Sequence, residues 1–431
     1  MGFFDRHTET TSRAGLRDVQ FVRLAELLAT VYGRNRFYTD KMDRAGVTPD
    51  TVRSLEDLAT LPFTTKEELV AAAEQSPPFG TNLTFPEDAY TRIHQTSGTT
   101  GRPLKVVDTE ESWDWWGRCW GYVLSGAGVT ATDRLFLPFS FGPFIGFWAA
   151  VEGAREVGAL LIPGGGADSV QRLHLIEELG VTALCATPTY ALRLAEVARA
   201  EGVDTAELPV RRLVLAGEPG ALVPEIRRRI ESAWGAECYD HAGASEVGAH
   251  SFECEARTGG THVIESEFIV EVVDPADLRP VQAGGEGELV ITNLGRVGFP
   301  VIRYRTGDLV RLNTDPCECG RTFARFDGGI LGRADDMVVV RGVNVFPSAI
   351  ENLIRQVDAV EEYQVTVSRG SDLASLSIAI EVGEGADAEA ARHAVARNIQ
   401  NELALRPEVT VVASDSLPRF ELKARRFHLV D

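Results

Sequence analysis

Arg212-Leu213-Val214-Leu215-Ala216-Gly217-Glu218-Pro219-Gly220 is a short apolar run that ends abruptly in a glycine and proline turn. A run of this length with no alternation suits a strand covered on both faces. Comparable runs stand at residues 135–139, 159–163 and 183–187, and amphipathic stretches separate them: a helix over 169–179 and others starting at Tyr190 and Pro224. Strands alternating with helices predict an α/β layered sheet whose ligands collect at the strand ends. Further on, residues 267–273 and 287–292 read as strands of a more antiparallel region. Upstream, residues 14–44 carry helical periodicity, and Thr64-Thr65-Lys66-Glu67-Glu68-Leu69 has the Thr-to-Glu spacing of a helix start.

A second unit is expected from residue 333. A short strand, a helix over 347–357, strands at 363–368 and 375–381, a helix over 386–405 and a strand at 408–413 describe a small α+β module. The expected division is therefore 1–332 and 333–431, in line with the length of 431 residues, which exceeds one core. With 43 basic and 63 acidic residues the formal charge is −20, which disfavours nucleic acid and anionic membranes as partners. The longest uncharged run, 135–151, is broken by Pro138, Gly142, Pro143 and Gly146 and is too short to span a bilayer. The opening residues lack the apolar core of a secretion signal, so a cytoplasmic enzyme is expected.

Gln95-Thr96-Ser97-Gly98-Thr99-Thr100-Gly101-Arg102-Pro103-Leu104-Lys105 is rich in hydroxyls and glycine and has a basic end. Glycines allow close approach to an anion, hydroxyls and freed N–H groups donate to phosphate oxygens, and the basic residues add charge. The spacing is not that of a P-loop. Other segments follow in order: Ala216-Gly217-Glu218-Pro219-Gly220, Ala242-Gly243-Ala244-Ser245-Glu246, Tyr304-Arg305-Thr306-Gly307-Asp308, Gly332-Arg333-Ala334-Asp335-Asp336, Arg341-Gly342-Val343-Asn344, and Leu417-Pro418-Arg419 with Lys423-Ala424.

Together these segments resemble the adenylate-forming superfamily of acyl-CoA synthetases, specifically the phenylacetate-CoA ligase family. The resemblance covers nearly the whole chain. It implies a large multi-sheet N-terminal adenylation domain with a small mobile C-terminal domain, and attack of a carboxylate on the α-phosphate of ATP followed by thiol attack on the acyl-adenylate. On that reading Thr96, Ser97, Gly98, Thr99, Thr100, Gly101 and Lys105 hold the β- and γ-phosphates, and Glu246 ligates Mg²⁺ with Ser245 beside it. Asp308 accepts from the ribose hydroxyls with Arg333 assisting, and Gly217, Glu218 and Pro219 meet adenine. Lys423 serves the reacting carboxylate and α-phosphate, Asp335 is the hinge, and Gly342 lies by the pantetheine tunnel. Two positions depart from the family pattern. Ala242 replaces an aromatic residue that faces adenine, so that Tyr239, His241 or aliphatic surface must serve, and Leu422 replaces the glycine before the lysine.

The implied acceptor is coenzyme A, with a carrier-protein thiol or another nucleophile as the alternative; a catalytically idle nucleotide-binding regulator is the reading from another class. The acid is expected to be flat and aromatic, from a lining of Phe136, Phe139, Phe141, Gly142, Ala242, Gly243 and Ala244. The helical spacing of Trp113, Trp115, Trp116 and Trp120 points to a buried or dimer-forming face, leaving a homodimer open. Outside this chemistry, Cys317-Glu318-Cys319 with Cys254 and His262 offers four ligands for a structural Zn²⁺, His250 being the alternative to His262.

Overall fold

The computed structural model describes residues 2–96, 103–139, 141–143, 145–334, 338–340, 343–345, 347–368, 375–383, 385–420 and 426–430. The strand Arg212–Ala216 lies in the middle of a parallel run ordered Leu160–Pro163, Arg134–Leu137, Ala183–Ala186, Arg212–Ala216, Glu237–Ala244. Successive side chains alternate between two cores. Leu135, Leu137, Cys185 and Val214 point to one face, under the helices Glu110–Gly126 and Trp148–Val157. Phe136, Leu184, Leu213 and Leu215 point to the other, under Ser169–Glu178, Pro188–Ala200 and Pro224–Trp234.

Beyond Glu237–Ala244 the sheet continues antiparallel through Gly248–Phe252, Gly260–Val263, Arg325–Asp327, Tyr304–Asn313, Glu286–Asn293 and Phe268–Val273. The long strand Tyr304–Asn313 links Glu286–Asn293 to Arg325–Asp327, and the short Gly332–Arg333 that also pairs on it is the twelfth described strand of the sheet. The four tryptophans of Glu110–Gly126 are all buried in the first core, so the stripe is internal and is not a dimer face.

The periodic stretch at 14–44 forms two helices, Arg13–Val31 and Arg36–Ala45. Gly33 takes a φ of +79° between them, and the Asn35 side chain accepts from Tyr38 N at 3.2 Å, which starts the second helix. Thr65 and Glu68 form the expected capping box of Lys66–Gln75.

Residues from Val338 onward build a separate hydrophobic core around the helices Pro347–Arg355 and Ala388–Leu403 and a four-stranded sheet. Its strands run in the order Glu408–Val411, Ser375–Val382, Val360–Ser368, Phe427–Val430. The last, pairing parallel to Val360–Ser368, was not expected from the sequence, because His428 interrupts an already short apolar run. Among the described residues no buried apolar cluster crosses from one unit into the other.

Candidate active site

Glu246 sits in the turn between Glu237–Ala244 and Gly248–Phe252, with only 5 % of its surface exposed. A buried carboxylate needs partners. Lys66 Nζ lies 2.9 Å from its Oε1, and Tyr304 O–H donates to the same oxygen at 3.4 Å. Burial and the nearby Glu246 charge push the Tyr304 phenol well up, so it remains a donor. The turn itself is fastened by Arg296, which donates to the carbonyls of Ser245 at 2.7 Å and Glu246 at 3.0 Å. Arg296 also binds Asp108 through two parallel bonds of 2.6 and 2.7 Å, both side chains being fully buried. Trp116 and Phe299 cover its guanidinium.

The strand that supplies Tyr304 supplies Asp308 four residues on. Asp308 faces Arg333 across the pairing of Tyr304–Asn313 with Gly332–Arg333, and their charged groups meet at 3.3 Å. Gly307 between them has a φ of +76°, and a Cβ there would stand 2.8 Å from the Arg333 guanidinium, so this position requires glycine. Two motifs that the sequence separates by about sixty residues are thus tied to one strand, Tyr304–Asn313.

The hydroxyl-rich loop closes at its base. Arg92–Gln95 and Lys105–Asp108 pair antiparallel, Thr96 N donates to Leu104 O at 2.9 Å, and Leu104 N donates back to Thr96 Oγ1 at 3.0 Å. Lys105 is exposed at this base, opposite Gln95. Gly217 takes a φ of +96° at the end of Arg212–Ala216, and the Glu218 carboxylate accepts from Thr189 N at 2.8 Å, at the start of the helix Pro188–Ala200. Pro219 follows in the same turn. Ser97, Gly98, Thr99, Thr100, Gly101, Asp335, Gly342 and Lys423 lie outside the described residues.

Phe139 and Phe141 form an edge-to-face pair with centroids 5.5 Å apart, Phe141 packs on Trp148 at 4.7 Å, and Trp148 Nε1 donates to Gly142 O at 3.0 Å. His94 connects this wall to Trp113, on which it stacks at 5.2 Å. Phe139 also meets Phe147, which touches Trp120, and Trp120 carries the His241 ring next to Ala242, Gly243 and Ala244. Burial holds His241 neutral, down to about 4, and its Nδ1 pairs with Ser251 O at 2.8 Å. Phe136 does not join this wall. Strand alternation turns it to the opposite face, where it is completely buried with Ile162 and Leu173 as core. Sequence reasoning assigns no role to His94, Lys66, Tyr304, Arg296 or Asp108, whose partners are remote along the chain, nor to Trp148, whose partners Phe141 and Gly142 are near in sequence but carry no motif.

Cys254, His262, Cys317 and Cys319 come together with their ligand atoms all within 4.8 Å of one another, and all four are buried. Sγ of Cys254 and Cys317 are 3.9 Å apart, and Cys319 Sγ is 3.4 Å from His262 Nε2. A tetrahedral Zn²⁺ with ordinary bond lengths places sulfurs about 3.8 Å apart and sulfur and nitrogen about 3.5 Å apart. The donor set and spacing fit that ion. His262 Nδ1 pairs with Phe323 O at 3.0 Å, which leaves Nε2 to act as ligand. His250 is outside the cluster, its ring set against Phe268 and Phe326.

The family of AMP-binding enzymes matches residues 28–295, and the C-terminal domain of AMP-binding enzymes matches residues 342–428. The phenylacetate-coenzyme A ligase of Thermus thermophilus is 34 % identical over 96 % of this chain and 96 % of its own length. That of Escherichia coli is 35 % identical over 97 % of this chain and 95 % of its own. A solved structure of 2-hydroxyisobutyryl-CoA ligase in the postadenylation state superposes with a TM-score of 0.93 at 31 % identity, covering 98 % of this chain and 91 % of that one. The same enzyme in the thioesterification state gives 0.75 at 32 % identity, with the same coverage. With Glu246, Asp308 and Arg333 carried on one mixed sheet and similarity running through both units, the chain belongs to the adenylate-forming AMP-binding enzymes, in the family of the phenylacetate-coenzyme A ligases.

Proposed function

We propose that this AMP-forming acid-CoA ligase activates an aryl carboxylic acid. In the first half-reaction a carboxylate oxygen of the acid bonds to the α-phosphorus of ATP and pyrophosphate leaves. In the second the thiolate of coenzyme A bonds to the acyl carbon and AMP leaves. The observation that carries the reading is the strand Tyr304–Asn313, which positions Tyr304 on Glu246 and Asp308 beside Arg333. A nucleotide set there has its ribose hydroxyls at the Asp308 carboxylate and its base against Gly217, Glu218 and Pro219. Thr96 and Lys105 stand at the base of the loop that runs through Ser97, Gly98, Thr99, Thr100 and Gly101 and grips the leaving phosphates.

Glu246 and the phosphates would hold Mg²⁺, which when bound offsets phosphate charge. The Glu246 carboxylate is suited to a cation, because Lys66 and Tyr304 both engage Oε1, whereas Oε2 has no hydrogen-bond partner among the described residues. Lys66 adds a further positive charge on the same side. The unit 333–431 brings Lys423 to the reacting groups, moves about Asp335, and lines the acceptor path near Gly342. The wall of Phe139, Phe141 and Trp148 favours a flat aromatic acid over an aliphatic one. The cysteine and histidine cluster holds a structural Zn²⁺, in a cytoplasmic setting that keeps thiols reduced.

The test is pyrophosphate release over substituted benzoates, phenylacetates, heteroaryl acids and 2-hydroxyisobutyrate, followed by thioester detection with free coenzyme A. Aryl acids should lead, and the thioester should form without a carrier protein. Preference for 2-hydroxyisobutyrate would overturn the choice of acid. Adenylate formation with no thioester from free coenzyme A would overturn the acceptor. Lys423→Ala should abolish adenylation while sparing thioester formation from supplied acyl-adenylate.

A further inference from the structure

The helix Pro224–Trp234 carries three consecutive arginines, and each points a different way. Arg227 turns inward to the buried Glu253 carboxylate at 2.5 Å. Arg228 pairs with Asp358, and with Glu225 on its own helix at 2.8 Å. Arg229 donates from its two terminal nitrogens to the carbonyls of Val357 at 2.8 Å and Val360 at 2.9 Å. Those carbonyls flank the turn that leaves the helix Pro347–Arg355 and enters the strand Val360–Ser368. A guanidinium forked across the two carbonyls of that turn fixes it from the other unit, with a planar charged group matched to both acceptors.

A second anchor lies across a cavity of about 710 Å³ lined in part by Arg229, Arg355, Thr189 and Arg426. There Arg426 binds Glu362 and donates to Thr189 Oγ1 at 3.2 Å, and the backbone of Thr189 is the group held by Glu218. Since none of the described apolar clusters is shared between the units, these arginine contacts carry much of their docking. An interface that is polar and hollow is one that can open. The chain superposes better on the relative in its postadenylation state, at 0.93, than in its thioesterification state, at 0.75.

We propose that Arg229, with the Arg228–Asp358 pair, is a latch that holds the second unit in the postadenylation arrangement and must release before the thioester forms. Arg229 is a positioning residue and touches no reactant. The latch rests on the acid-CoA ligase reading for its kinetic consequence, but not for its structural one.

Two measurements on the full-length protein separate them. The first compares acid-dependent pyrophosphate exchange with thioester formation from supplied acyl-adenylate. Arg229→Ala should shift the ratio of the two rates by roughly tenfold toward the thioester step, as losing charge-assisted hydrogen bonds implies. Arg229→Lys should restore part of the shift. Arg228→Asp and Asp358→Arg should each shift the ratio and the double exchange should return it. An equal fall in both half-reactions, or no change, would overturn the latch. The second is amide hydrogen exchange without substrates, which should quicken at residues 356–362 in Arg229→Ala. Unchanged exchange there would also overturn it. A wild-type chain that makes neither adenylate nor thioester, yet shows the quickened exchange in the variant, would remove the ligase reading and keep the latch.

Discussion

Replacing Arg296 by methionine removes the charge that fastens the Glu246 turn while keeping most of the side-chain volume. The variant leaves Asp108 fully buried with no cation and strips the Ser245 and Glu246 carbonyls of their donor. Breaking one partner of a buried ion pair costs about 3–5 kcal/mol, and the orphaned carbonyls add about 1 kcal/mol. Removing both charges is milder, because no uncompensated ion remains, so Asp108→Leu with Arg296→Met should recover more than half of the loss. Tryptophan fluorescence during urea unfolding measures this cleanly: all six tryptophans, at 113, 115, 116, 120, 148 and 234, lie in the first unit. Pyrophosphate exchange should stay depressed in the double variant, since the turn still lacks its fastening. A single variant that loses less than about 1 kcal/mol, or a double variant no better than the single, would refute the reasoning.

Phe141→Ala should weaken binding of aryl acids with little loss of stability, whereas Phe136→Ala should cost about 3–5 kcal/mol and leave the order of preferred acids unchanged; a shift in acid preference from Phe136 would return it to the pocket. Metal analysis of unchelated protein should find about one zinc per chain, and Cys317→Ser should lose it together with thermal stability; zinc-free protein with every thiol titratable would refute the site. Burial, reinforced by the neighbouring Glu253 charge, pushes Asp240 up to about 7, above the unfolded value of about 3.9. The stability that its proton confers is therefore fully present below about pH 3.9 and is lost as the pH rises through about 7. Asp240→Asn cannot ionise, so its stability relative to wild type should climb between about pH 4 and 7, and a flat difference in urea midpoints would contradict the assignment.

Four strands of the parallel half were legible because each is an apolar run set among amphipathic helices, and Arg212–Ala216 was bounded to the residue. The fifth, Glu237–Ala244, is interrupted by Asp240 and His241. Which face each side chain takes was not legible, and Phe136 shows why: in a strand buried on both sides, core and pocket residues look alike. Glu246 and Asp308 were legible through the ordered motifs that resemble a known family, and the four metal-type ligands through their residue types, which the fold does gather. Lys66 was legible only as part of a helix start, because its partner Glu246 lies far along the chain. The same holds for Arg296 with Asp108, whose pairing depends on a hairpin and a loop meeting in space. The split of residues 14–44 was written in Gly33 and Asn35, but periodicity outweighed those two signals.

The cysteine and histidine cluster is followed directly by Arg321, which binds the buried Glu9 carboxylate and the Gly2 carbonyl, while Thr322 N donates to Glu9 O at 2.9 Å. Gly2 N in turn donates to Glu255, next to Cys254, at 2.7 Å. Glu9 therefore leaves the ribosome 312 residues ahead of Arg321. At ordinary elongation rates that is a wait of roughly tens of seconds. Through it Phe3 has only Arg6 over its ring and lacks Arg321, and the buried Glu9 carboxylate is without the Arg321 cation that pairs with it. A segment translated early thus finds its buried ion-pair partner only once the chain around the cluster has been made.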